Sequence, residues 1–172
     1  MATKATKPAA KKATGSARTD PATKLLMADH KEVHAMFQQY KKLADADAEA
    51  SEREALATEI CHALTAHATI EEELFYPAAR EAEVDTDLLD EAEVEHASAK
   101  ALIAQIEAMS PGDDLYDAKV TVLGEYIDHH VKEEERELFP KCRKSDMDLE
   151  GLGEALAARK QELTAEMAEM AS

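Results

Sequence analysis

His67-Ala-Thr-Ile-Glu71 and His130-Val-Lys-Glu-Glu134 repeat one four-residue step from an imidazole to a carboxylate. Each continues in the same way, with a second Glu (Glu72, Glu135), an aromatic residue (Tyr76, Phe139) and a Pro (Pro77, Pro140) at matching offsets. Upstream, Asp29-His30 and Glu95-His96 also correspond, 37 and 34 residues before the next repeated His. On a helix, residues four apart lie one turn apart on one face, so an imidazole and a carboxylate at that spacing can reach one cation or two neighbouring ones. A buried carboxylate is too costly unless it is paired or bound to a cation. One such step is common and weak. Two copies at matching depth, with a further His upstream of each, ask for metal. Imidazole with carboxylate and no thiolate suits iron, zinc, manganese or copper.

Long helices must carry these residues. Ala, Glu, Leu and Lys dominate, aromatics are only 4 %, and five Gly and five Pro leave room for uninterrupted helices. Asp20-Pro21 predicts the start of a first helix. Ser51-Glu52-Arg53-Glu54 reads as a capping box for a second. The third is expected from Thr86 or Asp87 to Ser110-Pro111-Gly112, and the fourth from Asp113 or Asp114 to about Cys142. Pro77 and Pro140 remove backbone donors and should end or kink helices two and four. Apolar residues at steps of three and four give each helix one inward stripe. In the first it is Leu26, His30, Val33, Phe37, Tyr40 and Ala44; in the fourth, Tyr116, Val120, Leu123, Ile127, His130, Glu134 and Leu138. Each stripe holds one His, and two also hold a Glu. Short links imply an antiparallel up-down-up-down four-helix bundle.

At these residues the chain resembles the hemerythrin-like, HHE cation-binding family, over about residues 22–142. The resemblance implies His30, His67, His96 and His130 as terminal ligands and Glu71 and Glu134 as bridges between two non-haem irons, with an oxo or hydroxo bridge. It also implies binding of oxygen or a related small molecule. Two departures stand out. The second His that oxygen carriers have on the third helix is Lys100 here, and their final Asp, five residues after the last His, corresponds to Glu134, four residues on. His34, one turn after His30, is the equivalent position in the other half and a further candidate ligand. Tyr126, Tyr40 and Phe37 are candidates for a small-molecule pocket beside the metals. His62 and His129 fall off the stripes and should be surface residues.

Three functions follow from such a centre. The leading one is oxygen binding, or oxygen, redox or iron sensing. The alternative is an enzyme turning over peroxide or nitric oxide, in the manner of a peroxidase, catalase or nitric oxide reductase. The third is iron storage or delivery, which a single closed set of ligands disfavours. Other metal patterns fit less well. Glu59-x-x-His62 and Glu93-x-x-His96 fall on the wrong helices for a ferritin-like site, and His-Glu-x-x-His is absent.

The chain divides unevenly. Residues 1–19 carry five basic and no acidic side chains in Ala/Thr/Lys/Pro low complexity, and should form a disordered tail. Residues 20–145 are expected to form the bundle. Residues 146–172 are expected to form a C-terminal helix with the apolar stripe Leu149, Leu152, Leu156, Leu163 and Met167, folding back on the bundle or pairing with another chain. Outside the tail, 15 basic residues face 37 acidic ones, a net charge of −22. That argues against nucleic acid, except through the tail, and against an anionic membrane. The absence of an apolar run of about 18 residues excludes a transmembrane helix. With no apolar leader and only Cys61 and Cys142, a cytoplasmic protein is expected, a monomer or weak homo-oligomer.

Overall fold

The computed structural model describes residues 20–172. The expected basic tail lies outside the described residues. Among the described residues the structure is helical and contains no strand. Helix α1 spans Pro21–Asp45, α2 Ala50–Ile70, α3 Tyr76–Glu81, α4 Thr86–Glu107, α5 Tyr116–Glu133, α6 Phe139–Lys144 and α7 Leu149–Met170. Two π-helical turns, Glu71–Phe75 and Glu134–Leu138, join α2 to α3 and α5 to α6. None of the described helices is long and apolar enough to cross a membrane.

Side-chain caps set three of the helix starts. The Asp20 carboxylate accepts from the Thr23 N–H at 2.8 Å, and Pro21 occupies the first turn of α1. Asp85 caps α4 through Leu88 N–H, and Asp148 caps α7 through Gly151 N–H. The capping box expected at Ser51 is not used: α2 begins one residue earlier, behind Glu49, with no side-chain cap. The chain reaches that point through Asp47, whose positive φ of 51° turns the backbone. The α5 segment begins at Tyr116, later than the expected Asp113 or Asp114, because Asp113 instead caps the loop through Ser110 N–H.

Pro77 and Pro140 neither end nor break their helices. Each sits second in a new α-helical segment just after a π turn. A Pro ring clashes with the carbonyl four residues before it and supplies no N–H. A turn widened by one residue takes up both defects, and such turns recur at functional sites. The same widening falls on the residues that begin with Glu71 and Glu134.

Helix α1 packs against α2, α5 and α7, and α4 packs against α2 and α5. Two apolar clusters fill the space between them. One holds Leu26, Ile70, Phe75, Leu89, Leu138 and Phe139. The other holds Val33, Ile60, Leu64, Ile103, Val120 and Leu123. Along α1 and α4 the chain runs from the first cluster to the second; along α2 and α5 it runs back. On every one of the four helices a His lies between the two clusters. The polar level is therefore shared by all four.

The C-terminal helix covers the first cluster. Leu149, Leu156 and Leu163 are buried there, with Leu152 and Met167 partly so. Gly153 allows the close approach: a Cβ there would lie 2.6 Å from Pro21 Cβ and 2.9 Å from the Ala22 backbone nitrogen. Both cysteines are buried and inert. Burial pushes the Cys61 and Cys142 thiols up to about 12, helped by the nearby charges of Glu107 and Glu134 respectively, so neither offers a thiolate near neutral pH.

Gly153→Ala should force α7 off the start of α1 and lower stability by about 1–3 kcal/mol, as overpacking does elsewhere. Urea unfolding monitored by circular dichroism checks this. An unchanged midpoint would mean that α7 does not sit against Pro21.

Candidate metal centre

The four helices deliver four imidazoles to one level. His30 comes from α1, His67 from α2, His96 from α4 and His130 from α5, and all are buried. Glu71 and Glu134 come from the first residues of the two π turns and are buried at 0 % and 2 % exposure. The Nε2 atoms meet in pairs, His30 with His67 at 3.1 Å and His96 with His130 at 3.1 Å. Glu71 spans the two pairs: Oε1 lies 3.0 Å from His67 Nε2 and Oε2 lies 3.1 Å from His96 Nε2. Glu134 Oε2 likewise lies 3.3 Å from His30 Nε2 and 3.6 Å from His130 Nε2. Two groups with the reach of a cation site result: His30, His67, Glu71 and Glu134, and Glu71, His96 and His130. Glu71 belongs to both.

Four further carboxylates fix the rings. Each Nδ1 faces one oxygen: His67 to Asp29 at 3.0 Å, His130 to Glu95 at 2.6 Å, His30 to Glu135 at 2.9 Å and His96 to Glu72 at 3.2 Å. An Nδ1–H held this way leaves the Nε2 lone pair aimed inward, the tautomer a metal ligand needs. The pattern obeys the internal repeat. The acid before each upstream His serves the repeated His of its own half, and the acid after each repeated Glu serves the upstream His of the other half. Asp29 and Glu95 were visible in the sequence as repeated neighbours of His30 and His96. Glu72 and Glu135 were visible only as repeated acids, with nothing to say which way they point.

Tyr76 is the residue of the cluster that sequence reasoning missed. It is buried, and its hydroxyl donates to Glu134 Oε1 at 2.7 Å. The same oxygen lies 3.1 Å from Glu71 Oε2 and 3.2 and 3.4 Å from the Nε2 atoms of His96 and His130. Burial, then the charges of Glu134 and Glu71, push its phenol well above the ordinary value, so it stays protonated. Its repeat partner is Phe139, which stacks on His30 at 6.0 Å. The hydroxyl is the one chemical difference between the halves at that position, and that substitution was the available signal.

The other candidates stand elsewhere. His34 is exposed, with Nδ1 3.1 Å from Asp128 on α5. The inward line of α1 runs through His30, Val33 and Tyr40, and His34 falls outside it, so it does not join the cluster. Tyr126 is 48 % exposed, although its steps to Leu123 and His130 suit the inward stripe. Tyr40 is buried, but its hydroxyl donates to Asp117 at 2.6 Å, within the second apolar cluster. Ten residues of helix, about 15 Å, separate it from His30. Phe37 is half-buried and packs on that cluster. Lys100 is exposed and paired with Glu72. His129 is exposed as expected, while His62 is half-buried.

The residues fit a cation. Glu71 Oε1 and Glu134 Oε2 are buried without a hydrogen-bond partner among the described residues. They have only imidazole nitrogens beside them, and a buried carboxylate oxygen so placed costs several kcal/mol unless a positive charge replaces water. Protons supply that charge in part. Burial opposes a charge on His67, but Glu71 and the contact with Asp29 outweigh it and lift its pKa to about 10. Against the same burial, Glu134 and Glu95 lift His130 to about 9. Burial would raise Glu71, but His67 and His96 hold it well below the usual carboxylate range.

Helices that gather His and Glu in this way define a helical protein with the side chains to hold cations. Residues 22–142 match the hemerythrin HHE cation-binding domain family, and the chain belongs to it. A solved hemerythrin HHE cation-binding domain-containing protein from Mycobacterium kansasii superposes with a TM-score of 0.69 at 25 % identity, over 87 % of this chain and 90 % of that one. A stretch of 82 residues is 39 % identical to a DNA nickase from Nostoc sp., covering 46 % of this chain and 22 % of that protein. The chain thus spans about a fifth of that relative's length.

Metal must displace the imidazole protons. At pH 7.5 the metal-free His67 and His130, with pKa values near 10 and 9, are protonated. Binding should release about two protons per chain. Affinity should rise with pH until those values are passed, whereas the imidazole contribution to metal-free stability is full below the ordinary value of 6.5 and is lost as pH rises from there through 9 and 10. Calorimetric titration with metal in two buffers of different ionisation heat measures the release. A heat independent of buffer would contradict it.

Proposed function

We propose that the chain is a non-haem di-iron protein that binds oxygen or a related small molecule. In this reading His30 and His67 hold one iron and His96 and His130 the other. Glu71 and Glu134 bridge them, within an antiparallel up-down-up-down four-helix bundle that α7 extends. The observation that carries it is the pair of buried, unpartnered carboxylate oxygens, Glu71 Oε1 beside His67 Nε2 and Glu134 Oε2 beside the Nε2 atoms of His30 and His130. Six such donors, nitrogen and oxygen without sulfur, suit iron. When bound, a di-iron centre supplies electrons in exchange with the small molecule and an open coordination position for it.

The chain's own residues do the rest. An apolar cavity of about 30 Å³ adjoins the imidazoles, with Val33, Leu64, Ile103 and Ile127 among its walls. That is room for about one water-sized molecule, and the apolar lining disfavours water there. A neutral diatomic suits both properties. On the opposite side Tyr76 holds a proton against Glu134 Oε1. The four outer carboxylates keep each ring in register.

One observation favours a second reading. A buried phenol among the proposed ligands keeps its proton and offers a hydrogen bond to negative charge that develops on a reacting oxygen, as turnover of peroxide or nitric oxide would produce. Storage has no comparable support, because the donors form one closed set. DNA cleavage is no part of the proposal: residues 20–172 carry 15 basic against 37 acidic side chains, a surface that repels phosphates.

Purified protein loaded anaerobically should hold about two irons per chain, and Glu71→Ala, lacking the shared carboxylate, well under that. Admitting air should give a visible charge-transfer band that survives and reverses under argon. Irreversible bleaching, or a variant that keeps full iron content, would count against oxygen binding or the bridging role respectively.

Tyr76→Phe should keep its iron and shorten the lifetime of that band by about tenfold, the usual scale for a lost outer hydrogen bond. An unchanged lifetime would remove the phenol from the function. If steady turnover of peroxide is found instead, its loss in Tyr76→Phe supports the enzyme.

A further inference from the structure

The internal repeat is symmetric at the imidazoles and asymmetric one step further out. Asp29 and Glu95 occupy equivalent places, each accepting from a repeated His. Behind Glu95 stands His129, exposed, at 3.4 Å. Behind Asp29 stands Lys160, from α7, whose ammonium donates to Asp29 Oδ1. Asp29 is itself buried, with its other oxygen on His67 Nδ1. A continuous chain of contacts therefore runs from the C-terminal helix to one imidazole of the centre. The His96–His130 pair has an ammonium of its own, Lys100 on Glu72, which faces His96, but that lysine is exposed and comes from α4 itself, whereas Lys160 reaches a buried carboxylate from outside the four helices.

The neighbouring residue makes a second grip. Arg159 Nε donates to Glu73 Oε2 at 2.8 Å, inside the π turn that starts with Glu71. The repeat equivalent of Glu73 is Arg136, which an arginine cannot pair with. Two consecutive basic residues of α7 thus hold acids on both segments, α1 and the π turn, that frame His67. The apolar residues Leu156 and Leu163 seat α7 on the core on either side of them.

We propose that Lys160 is a positioning residue for the metal centre. Through Asp29 it holds the His67 ring and makes the ion at His30 and His67 bind differently from the ion at His96 and His130. The proposal rests on the two-metal reading. Its physical basis is that an outer carboxylate fixes its imidazole only when it is itself fixed. Without the ammonium, Asp29 keeps one partner for two buried oxygens and is free to rotate. The coupling is reciprocal by thermodynamic necessity: an ion that tightens His67 also tightens the docking of α7.

Ferrous ion titrated anaerobically against a competing chelator tests this on the full chain. Wild type should take up two ions in distinguishable steps. Lys160→Met should weaken one step by about tenfold and leave the other unchanged, and Lys160→Arg should restore it. Hydrogen exchange supplies a second readout. Metal removal should speed exchange across α7 in wild type, and that difference should vanish in Lys160→Met. A wild type that binds two ions with Lys160→Met unchanged in both steps overturns the proposal alone. So does a variant weakened equally in both steps. A wild type that binds no ferrous ion overturns the two-metal reading and this proposal together.

Discussion

Two glutamates lie buried away from solvent, each with an oxygen that nothing among the described residues hydrogen-bonds. That is the constraint around which the molecule is organised. A carboxylate in such a place is tolerable only beside positive charge. The chain provides the means to place that charge, in four imidazoles whose Nε2 atoms crowd the two carboxylates. In the metal-free protein protons fill part of the need, which is why His67 and His130 are driven well above the ordinary histidine value. A multivalent cation fills it better, since one ion can satisfy several lone pairs at once.

The fold reads as a device for keeping this polar level intact. Apolar clusters lie on both sides of it, so slippage of any of the four helices along its axis would drive a charged group into hydrocarbon. The outer ring of Asp29, Glu72, Glu95 and Glu135 prevents rotation of the rings. The π turns place Glu71 and Glu134 at the level of the imidazoles and then let the helices continue through Pro77 and Pro140. Tyr76 and Phe139, five residues after those glutamates, close the level from one side with unlike chemistry: a hydroxyl on one half, a bare ring on the other.

Much of this was legible in the sequence. The repeated imidazole-to-carboxylate step and the stripes that contain it drew six residues to one level, because helical periodicity is a strong constraint on direction. The capped start at Asp20 was equally plain. The rest was hidden for identifiable reasons. The π turns leave no compositional mark beyond the prolines, which suggest a break rather than a widened turn. His34 shares the spacing of a ligand from His30 but lies on the outer side of the inward line, and a few tens of degrees decide between core and solvent. Tyr76 was concealed by its neighbour Pro77, which made the pair look like a repeated structural aromatic. Lys160 is one of many basic residues on an amphipathic helix, and only the packing of α7 on α1 gives it a role.

The central claim is that paired imidazoles from four helices share two buried carboxylates around two neighbouring ions. X-ray absorption at the iron edge of the iron-loaded protein tests it most directly. The account predicts imidazole scattering from about two histidines per iron, together with a shell from a second iron that disappears in Glu71→Ala. A spectrum of isolated irons, or one without imidazole scattering, would contradict it.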